Sequence, residues 1–156
     1  MAVTKAFKWD DKILIEKSLR RLTVQGDEGD MLFSCPVALG NCPTGPKERE
    51  GDGKTPEGKY FVCLKKHGKY GPSLGVSYPN EADARRMSAP EELISCIRDR
   101  AAQKQRPPWG TALGGEIYIH GGGADADWTA GCVALNDADA EALYALVPLG
   151  TEIEIR

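Results

Sequence analysis

The sequence predicts a single, mainly β domain with two or three helices. Three β-type runs lie close together between Lys12 and Gly40, the last six residues "TEIEIR" alternate without a break, and only short stretches have helical spacing. The 156 residues suit one domain over 1–156, because folding at this length buries about two-thirds of the surface of the unfolded chain. No internal repeat or linker divides the sequence.

The first half of the chain is predicted to form strands around one long loop. Ser18 and the turn "GDEG" separate the three runs of 12–40, a pattern typical of an antiparallel meander. Residues 41–58, "NCPTGPKEREGDGKTPEG", concentrate proline, glycine and charge, and this indicates an exposed loop that can approach a ligand. "KYFVCLKK" predicts the next strand, and a shorter strand is expected over 74–78, before a Pro-Asn break.

The second half adds two predicted helices and two strands. From Pro90, "PEELISCIRDRAAQKQ" has apolar residues at helical spacing, which predicts a helix of about 13 to 16 residues. "GGEIYIH" resumes β alternation and places His120 at a strand end. Asn136 is the expected N-cap of a helix in "NDADAEALYALV", and "TEIEIR" is the closing strand.

Composition and charge exclude several classes of function. The chain is 41% hydrophobic and 28% charged, and its net charge of -3 gives no attraction to nucleic acid. No apolar run approaches the roughly 20 residues that span a bilayer, so we expect no membrane insertion. The start "MAVTKAFKWDDK" lacks the apolar core of a secretory signal, which predicts either a cytoplasmic protein or a mature form without its leader.

The cysteines predict a free thiol and no metal centre. They occupy positions 35, 42, 63, 96 and 132, and an odd number leaves at least one thiol unpaired in a monomer. There is no Cys-x-x-Cys motif, and His67 and His120 have no ligand spacing, so we expect no zinc site. Cys35 and Cys42 could close a short disulfide loop, but small buried apolar side chains are favoured for these two and for Cys63 and Cys96.

The segment 119–135, "IHGGGADADWTAGCVAL", has the parts of a nucleophilic site. Such a site needs a thiolate, a histidine that moves its proton, and backbone amides that hold the oxyanion. Cys132 would be the nucleophile and His120 the base, while Gly131 lets the backbone approach the substrate. The second ring nitrogen of His120 would be fixed by a carbonyl of the glycine run, or by Asp125 or Asp127.

Two other interpretations of this segment remain open from the residues alone. A strand followed by three glycines is also found in phosphate loops, although no helix start follows here and two aspartates would repel an anion. His120 is alternatively a core histidine at a strand end, and Cys132 a buried apolar side chain beside a turn glycine.

The same segment resembles the signature of the L,D-transpeptidase catalytic domain (YkuD-type), in which a His-Gly pair precedes a Ser/Thr-x-Gly-Cys stretch. The matching parts are His120-Gly121 and Thr129-Ala130-Gly131-Cys132. "EKSLRRLTV", "CPVALG", "GDGKTPEGKYFV" and "VPLGTEIEI" are similar to other segments of that family and occur in its order. "LGVSYPN" and "PPWGTALGGEIYIHG" resemble one branch of it. The resemblance covers the chain from Lys12 to the C-terminus.

The resemblance implies a β-sandwich and an enzyme that acts on the tetrapeptide stems of peptidoglycan. The family's cysteine attacks the bond between an L-centre and a D-residue, commonly at meso-diaminopimelate before D-alanine. The acyl group then passes to an amine of another stem, which makes a 3-3 cross-link, or to water. The alternatives are therefore an L,D-carboxypeptidase or amidase, or else a non-catalytic peptidoglycan-binding module. We expect the protein to act in the periplasm or at the cell surface. We also expect it to be a monomer and to need no cofactor.

Carried over by position, the resemblance gives roles to individual residues. Cys132 is the nucleophile and His120 its base, the carbonyl of Gly121 orients the imidazole, and the amides of Ala130, Gly131 and Cys132 form the oxyanion hole. Family members often have His at the position of Ala130 and usually Arg or Asn at that of Ala134, so substrate preference is expected to differ here.

Further residues are candidates for substrate contact. Trp128 and Thr129 would wall the acyl site, Tyr78 and Asn80 would line the groove, and Asp127 with Asp125 would bind the diaminopimelate ammonium. His67 is expected to be exposed, and Arg85 with Arg86 to lie on a solvated helix face.

Overall fold

The computed structural model describes residues 7–156 as one mixed sheet of eight strands with three α-helices. The strands are β1 (Lys12–Glu16), β2 (Arg21–Gln25), β3 (Met31–Pro36), β4 (Gly58–Gly68), β5 (Gly71–Val76), β6 (Tyr118–His120), β7 (Val133–Ala134) and β8 (Glu152–Ile155). The helices are α1 (Glu81–Arg86), α2 (Glu91–Ala102) and α3 (Asp137–Leu146). The predicted fold class, mainly β with two or three helices, is confirmed.

The strand order in the sheet is β3-β2-β1-β8-β4-β5-β6-β7. The pairs β1–β8 and β6–β7 are parallel, and the others are antiparallel, which confirms the meander of the first three strands. Beyond β3, bridges pair Ala38 with Ala134 and Gly40 with Thr129. These bridges bring the two ends of the sheet together, so the sheet folds back on itself as the sandwich-like prediction requires.

The interior is filled by the inward faces of these strands. Ile13 and Ile15 on β1 and Ile153 on β8 are fully buried in the main core. Burying one such side chain stabilises the fold by roughly 1.5–3 kcal/mol. A second, smaller cluster joins α1 and α2 to the loop before β6 and consists of Ala84, Ile94, Ile97 and Leu113. The main core holds the strands that carry the candidate site, because β6 and β7 contribute to it.

Several predicted boundaries shift in the structure. Strand β5 covers Gly71–Val76 instead of 74–78, β6 has only three residues, and α2 has 12. The helix expected at Arg85 and Arg86 is α1, whose bounds were not predicted although Asn80 and Asp83 form a capping box at its start. Asn136 is the N-cap of α3, but its side chain accepts from the amide of Ala124 and not from its own helix. None of the helices in 7–156 is long and apolar enough to cross a membrane.

Candidate active site

The parallel pairing of β6 with β7 brings Cys132 and His120 to the same region. Ile119 pairs with Val133 and His120 with Ala134, and continuing this register by one residue places Cys132, just before β7, beside Tyr118, whose amide contacts its Sγ, one diagonal step from His120. With strands about 4.8 Å apart and about 3.3 Å per residue, the two Cα atoms are separated by roughly 8 Å. An imidazole and a thiol can meet across this span.

The thiol of Cys132 is half-buried and has two backbone neighbours. Its Sγ accepts from the amide of Tyr118 at 3.3 Å and lies 3.7 Å from the carbonyl oxygen of Glu116. Burial raises the pKa of the Cys132 thiol, and the Tyr118 amide and the Lys47 ammonium oppose this only partly. The resting thiol is therefore protonated at neutral pH and needs a base to become a nucleophile.

His120 is placed to be that base. The side chain is 5% exposed, and its Nδ1 lies 2.6 Å from the carbonyl oxygen of Gly121. A carbonyl oxygen only accepts, so Nδ1 carries the proton and Nε2 keeps a free lone pair. Burial lowers the pKa of His120, and the hydrogen bond to Gly121 opposes this, so the ring is neutral at neutral pH.

Two aromatic rings hold the imidazole in place. Tyr70 stacks on His120 with centroids 4.6 Å apart and ring planes 17° from parallel, and Trp128 packs its edge at 5.9 Å. The indole N–H of Trp128 donates to the carbonyl of Gly123 at 2.9 Å. A Cβ on Gly122, which has φ +107°, would lie 2.9 Å from the Trp128 ring. Only glycine fits at position 122, because the loop passes directly against the indole.

Tyr70 was not recognised in the sequence. It lies at the tip of the β4–β5 hairpin, 37% exposed, and reaches His120 only because that hairpin is next to β6 in the sheet. The available signal was an aromatic side chain in the turn "HGKYG", where exposed aromatics often contact ligands or functional groups.

The turn before the nucleophile is closed by the hydroxyl of Thr129. This hydroxyl donates to the carbonyl of Cys132 at 2.7 Å and accepts from the amide of Gly131 at 3.1 Å. Thr129 is buried and structural, so the prediction that it contacts substrate is wrong. The amide of Gly131 is already used, which also contradicts its predicted place in an oxyanion hole. Within the described chain, the amides of Ala130 and Cys132 have no hydrogen-bond acceptor.

Asp127 takes part in an ion pair within the protein. Both of its carboxylate oxygens accept from the Arg20 guanidinium, at 2.7 to 3.2 Å, and Oδ1 also accepts from the amide of Leu39. The Arg20 hydrogen bonds lower the pKa of Asp127. This ion pair ties the loop before Cys132 to the meander, and the contact of Asp127 with an ammonium group stays a prediction. Asp125 remains exposed.

The predicted groove residues also have structural roles. Tyr78 is fully buried and donates its hydroxyl proton to the carbonyl of Leu113 at 2.7 Å, so it cannot line a groove. Asn80 caps α1 and donates to the carbonyl of Lys59. The prediction for Tyr78 is wrong, whereas Asn80 is half-buried and its contact with substrate stays a prediction.

The remaining predictions concern the other histidine, the arginine pair and the thiols. His67 is exposed, as expected, and Arg85 and Arg86 lie on the polar face of α1. All five cysteines are free thiols, but Cys42 is exposed, which contradicts its predicted burial. Across 7–156, no group of three or more His, Cys, Asp or Glu side chains is placed to hold a metal ion.

Comparison with known proteins identifies similar folds. Residues 10–155 match the family model of the L,D-transpeptidase catalytic domain, YkuD. No curated protein sequence is significantly similar to the chain. The helical cell shape determining protein Pgp2 from Campylobacter jejuni is 22% identical over 94% of this chain and 47% of its own, with a TM-score of 0.66.

Two further structures have the same fold. Bd1075 from Bdellovibrio bacteriovorus is 22% identical over 94% of this chain and 48% of its own, with a TM-score of 0.62. An L,D-transpeptidase from Mycobacterium smegmatis is 16% identical over 94% of this chain and 58% of its own, with a TM-score of 0.55. The chain thus spans about half the length of Pgp2 and Bd1075.

Proposed function

The chain belongs to the L,D-transpeptidase catalytic-domain family, and we propose that it is a cysteine acyltransferase that acts on peptidoglycan tetrapeptide stems. The observation that supports this most is that the β6–β7 pairing brings a neutral imidazole, anchored through Nδ1, to the strand next to a half-buried thiol. The phosphate-loop interpretation does not account for a buried, neutral histidine that is anchored at Nδ1 on the strand next to a half-buried thiol.

The first step forms the acyl-enzyme. Nε2 of His120 takes the proton from Sγ of Cys132 as sulfur attacks the carbonyl carbon of the bond between the L-centre of diaminopimelate and D-alanine. The tetrahedral intermediate carries its negative charge on the former carbonyl oxygen. As it collapses, the C–N bond breaks, the imidazolium gives its proton to the leaving amine of D-alanine, and a thioester on Cys132 remains.

The second step regenerates the thiol. An amine of an acceptor stem attacks the thioester carbon, loses its proton to His120, and the C–S bond breaks as Cys132 takes that proton. The product is a 3-3 cross-linked dimer. Water as the acceptor gives a free tripeptide stem instead, which is L,D-carboxypeptidase activity, so the same site supports both outcomes and the acceptor decides between them.

The oxyanion is stabilised by the backbone of the turn before Cys132. The amides of Ala130 and Cys132 have no acceptor among the described residues, and they are the donors we assign to the developing charge. The hydroxyl of Thr129 holds the turn closed through Gly131 and Cys132. Thr129 and Gly131 thus position the two donating amides and do not bind the oxygen themselves.

The substrate sets where the protein acts. Peptidoglycan lies outside the cytoplasmic membrane, so we infer action in the periplasm or at the cell surface. The Campylobacter structure is described as that of a protein that determines helical cell shape, and we extend a role in cell shape to this chain.

Product analysis with purified tetrapeptide muropeptides tests the proposal. The wild-type chain is expected to release D-alanine and to form cross-linked dimers, detected by liquid chromatography with mass spectrometry. Cys132→Ala should release none, while Cys96→Ser, which alters a thiol on α2, should match the wild type. If tripeptide stems form without cross-linked dimers, the enzyme is an L,D-carboxypeptidase that transfers the acyl group to water. Tight binding of muropeptides without any D-alanine release would overturn the enzymatic proposal and favour a binding module.

A further inference from the structure

A buried ion pair lies in the loop between β3 and β4. Nζ of Lys47 donates to Oδ1 of Asp52 at 2.8 Å, and both side chains are only 3% exposed. Buried ion pairs carry a large desolvation penalty, so one that is retained in a loop calls for an explanation beyond stability. Nothing in the acyl-transfer steps described above uses either residue.

Three glycines allow this loop to pack against the turn that carries the nucleophile. A Cβ on Gly40 would lie 2.1 Å from the carbonyl oxygen of Gly53 and 3.1 Å from the Cα of Gly131. A Cβ on Gly131 would lie 2.8 Å from the carbonyl oxygen of Lys54. The backbones of the two segments are therefore in direct contact, immediately before Cys132.

The ammonium, and not the carboxylate, is the charge nearer to the nucleophile. Nζ of Lys47 lies 3.6 Å from the position of a Cβ on Gly131, and no atom of Asp52 is among the nearest neighbours there. Asp52 is turned into its own loop, where it accepts from the amides of Glu48, Arg49 and Lys54. The Lys47 ammonium has three N–H donors and makes one hydrogen bond to another described residue, so two N–H groups are left to face other partners.

The loop is fixed where it carries Lys47. The carbonyl of Lys47 accepts from the Arg86 guanidinium of α1 at 3.2 Å and lies 3.4 Å from the hydroxyl of the buried Tyr78. On the meander side, the ammonium of the buried Lys17 donates to the carbonyls of Gly45 and Thr55. A charge on an anchored loop is preorganised and needs no rearrangement during the reaction.

We propose that Lys47 is a positioning residue that stabilises the thiolate of Cys132 and the oxyanion formed from it, with Asp52 holding the ammonium in place. This role rests on the proposed acyl transfer. At the positions where family members often have His and usually Arg or Asn, this chain has Ala130 and a fully buried Ala134. Positive charge therefore comes from the packed loop, because the nucleophile segment carries none of its own.

The other charges around the thiol do not supply this effect. Glu116, whose carbonyl faces Sγ, carries a negative charge that raises the pKa of Cys132, whereas Lys47 lowers it. His120 on β6 is neutral before the reaction. Lys54 contacts Gly131 through its backbone oxygen, and its ammonium points toward Glu48, at 3.9 Å. Lys47 is thus the cation that faces the nucleophile segment from the loop.

The pH dependence of Cys132 alkylation by iodoacetamide, resolved by peptide mass spectrometry, tests this role without any peptidoglycan substrate. Lys47→Met should raise the apparent pKa of the Cys132 thiol and slow its alkylation near pH 8 by about tenfold, the change that corresponds to one pKa unit. Lys47→Arg should keep the wild-type rate within about threefold, because it retains the charge. Alkylation of Cys96, which lies on α2 outside this loop, is the internal control and should not change.

The sign of the effect separates an electrostatic role from a structural one. Asp52→Asn leaves Lys47 charged and without its counterion, so it should shift the thiol pKa downward, opposite to Lys47→Met. If the two substitutions acted only by loosening the loop, both variants would shift the pKa of the Cys132 thiol in the same direction. If Lys47→Met does not fold, the double variant Lys47→Met/Asp52→Asn leaves no unpaired charge and should still raise the thiol pKa.

An unchanged thiol pKa in the Lys47 variants, or an upward shift in Asp52→Asn, would overturn the role of Lys47. D-alanine release by the wild type is measured separately, so a failure of the proposed acyl transfer is distinguishable from a failure of this inference. If the acyl transfer and the role of Lys47 are both correct, Lys47→Met should lower kcat by about tenfold and change KM by less than about twofold. The reason is that the charge acts on the reacting thiol and not on substrate binding.

Discussion

The proposed base, His120, and the proposed nucleophile, Cys132, are held by opposite kinds of surroundings. His120 lies between the rings of Tyr70 and Trp128, and its one polar anchor is the carbonyl of Gly121. The segment that carries Cys132 is instead held by polar contacts: the Thr129 hydroxyl, the Arg20–Asp127 ion pair and the loop with Lys47 and Asp52. Aromatic packing keeps the base neutral and oriented, while polar contacts set the shape and charge around the nucleophile.

Replacing the reacting group on each side should have the largest effect. Cys132→Ala removes the sulfur atom on which the proposed thioester forms. The release of D-alanine from tetrapeptide muropeptides should therefore fall to the level measured without enzyme. His120→Gln keeps the nucleophile but removes the base, which should lower kcat/KM by about 10²- to 10⁴-fold. His67→Gln, at the exposed histidine, is the matched control and should keep full activity. Equal activity in the two histidine variants would show that His120 is not the base.

The pH profile should show that the aromatic surroundings tune the base. Burial lowers the pKa of His120 below its usual 6.5, so the neutral, proton-accepting form persists below that pH. The acid limb of kcat/KM should therefore have its midpoint below pH 6.5, with activity falling about tenfold per pH unit beneath it. A midpoint above 6.5 in a profile measured from pH 4.5 to 8 would contradict this assignment.

The two ion pairs on the nucleophile side should differ in what they contribute to stability. Burial alone would raise the pKa of Asp52, but the hydrogen bonds from Lys47 and three backbone amides lower it to about 2. The ionised carboxylate of Asp52 therefore adds to the free energy of unfolding. This contribution is at its full value when the pH is above 3.8, the ordinary pKa, and is lost as the pH falls through 2. It amounts to about 2 kcal/mol at neutral pH.

Asp127 should contribute less than Asp52 to the free energy of unfolding. Its partner Arg20 is 42% exposed, so solvent screens the ion pair and its contribution is below about 1 kcal/mol. The free energy of unfolding of wild type, Asp52→Asn and Asp127→Asn, measured in urea between pH 6 and pH 2, checks this. The difference between wild type and Asp52→Asn should shrink by about 2 kcal/mol over that range. A larger change for Asp127→Asn would reverse the proposed ranking.

Removing one aromatic ring should have the smallest effect. Tyr70→Leu keeps apolar bulk but loses the stacking on His120, and an aromatic pair is worth about 0.5–1.5 kcal/mol beyond its buried area. We expect kcat/KM to fall by about two- to tenfold and the acid midpoint to move toward 6.5 as water reaches the ring. Tyr144→Leu, which removes the ring packed against His67, is the control and should leave both values unchanged.

Short-range patterns in the sequence predicted much of the fold and the position of His120 at the end of a strand. Alternation in "GGEIYIH" placed His120 at a strand end, and the meander followed from turn residues between apolar runs. The contacts that were not predicted join distant parts of the chain. Asp127 is 107 residues from Arg20, and the Tyr78 hydroxyl is 35 residues from the carbonyl it contacts. No local period reports such partners, and Tyr70 and Lys47 were missed for the same reason.

Incubation of the chain with a carbapenem, followed by peptide mass spectrometry, tests most directly whether His120 and Cys132 form one acyl-transfer site. A single adduct on Cys132 is expected, formed much more slowly in His120→Gln and absent in Cys132→Ala. Acylation of the exposed Cys42 in place of Cys132, or no adduct at all on folded protein whose Cys132 still reacts with iodoacetamide, would contradict the account.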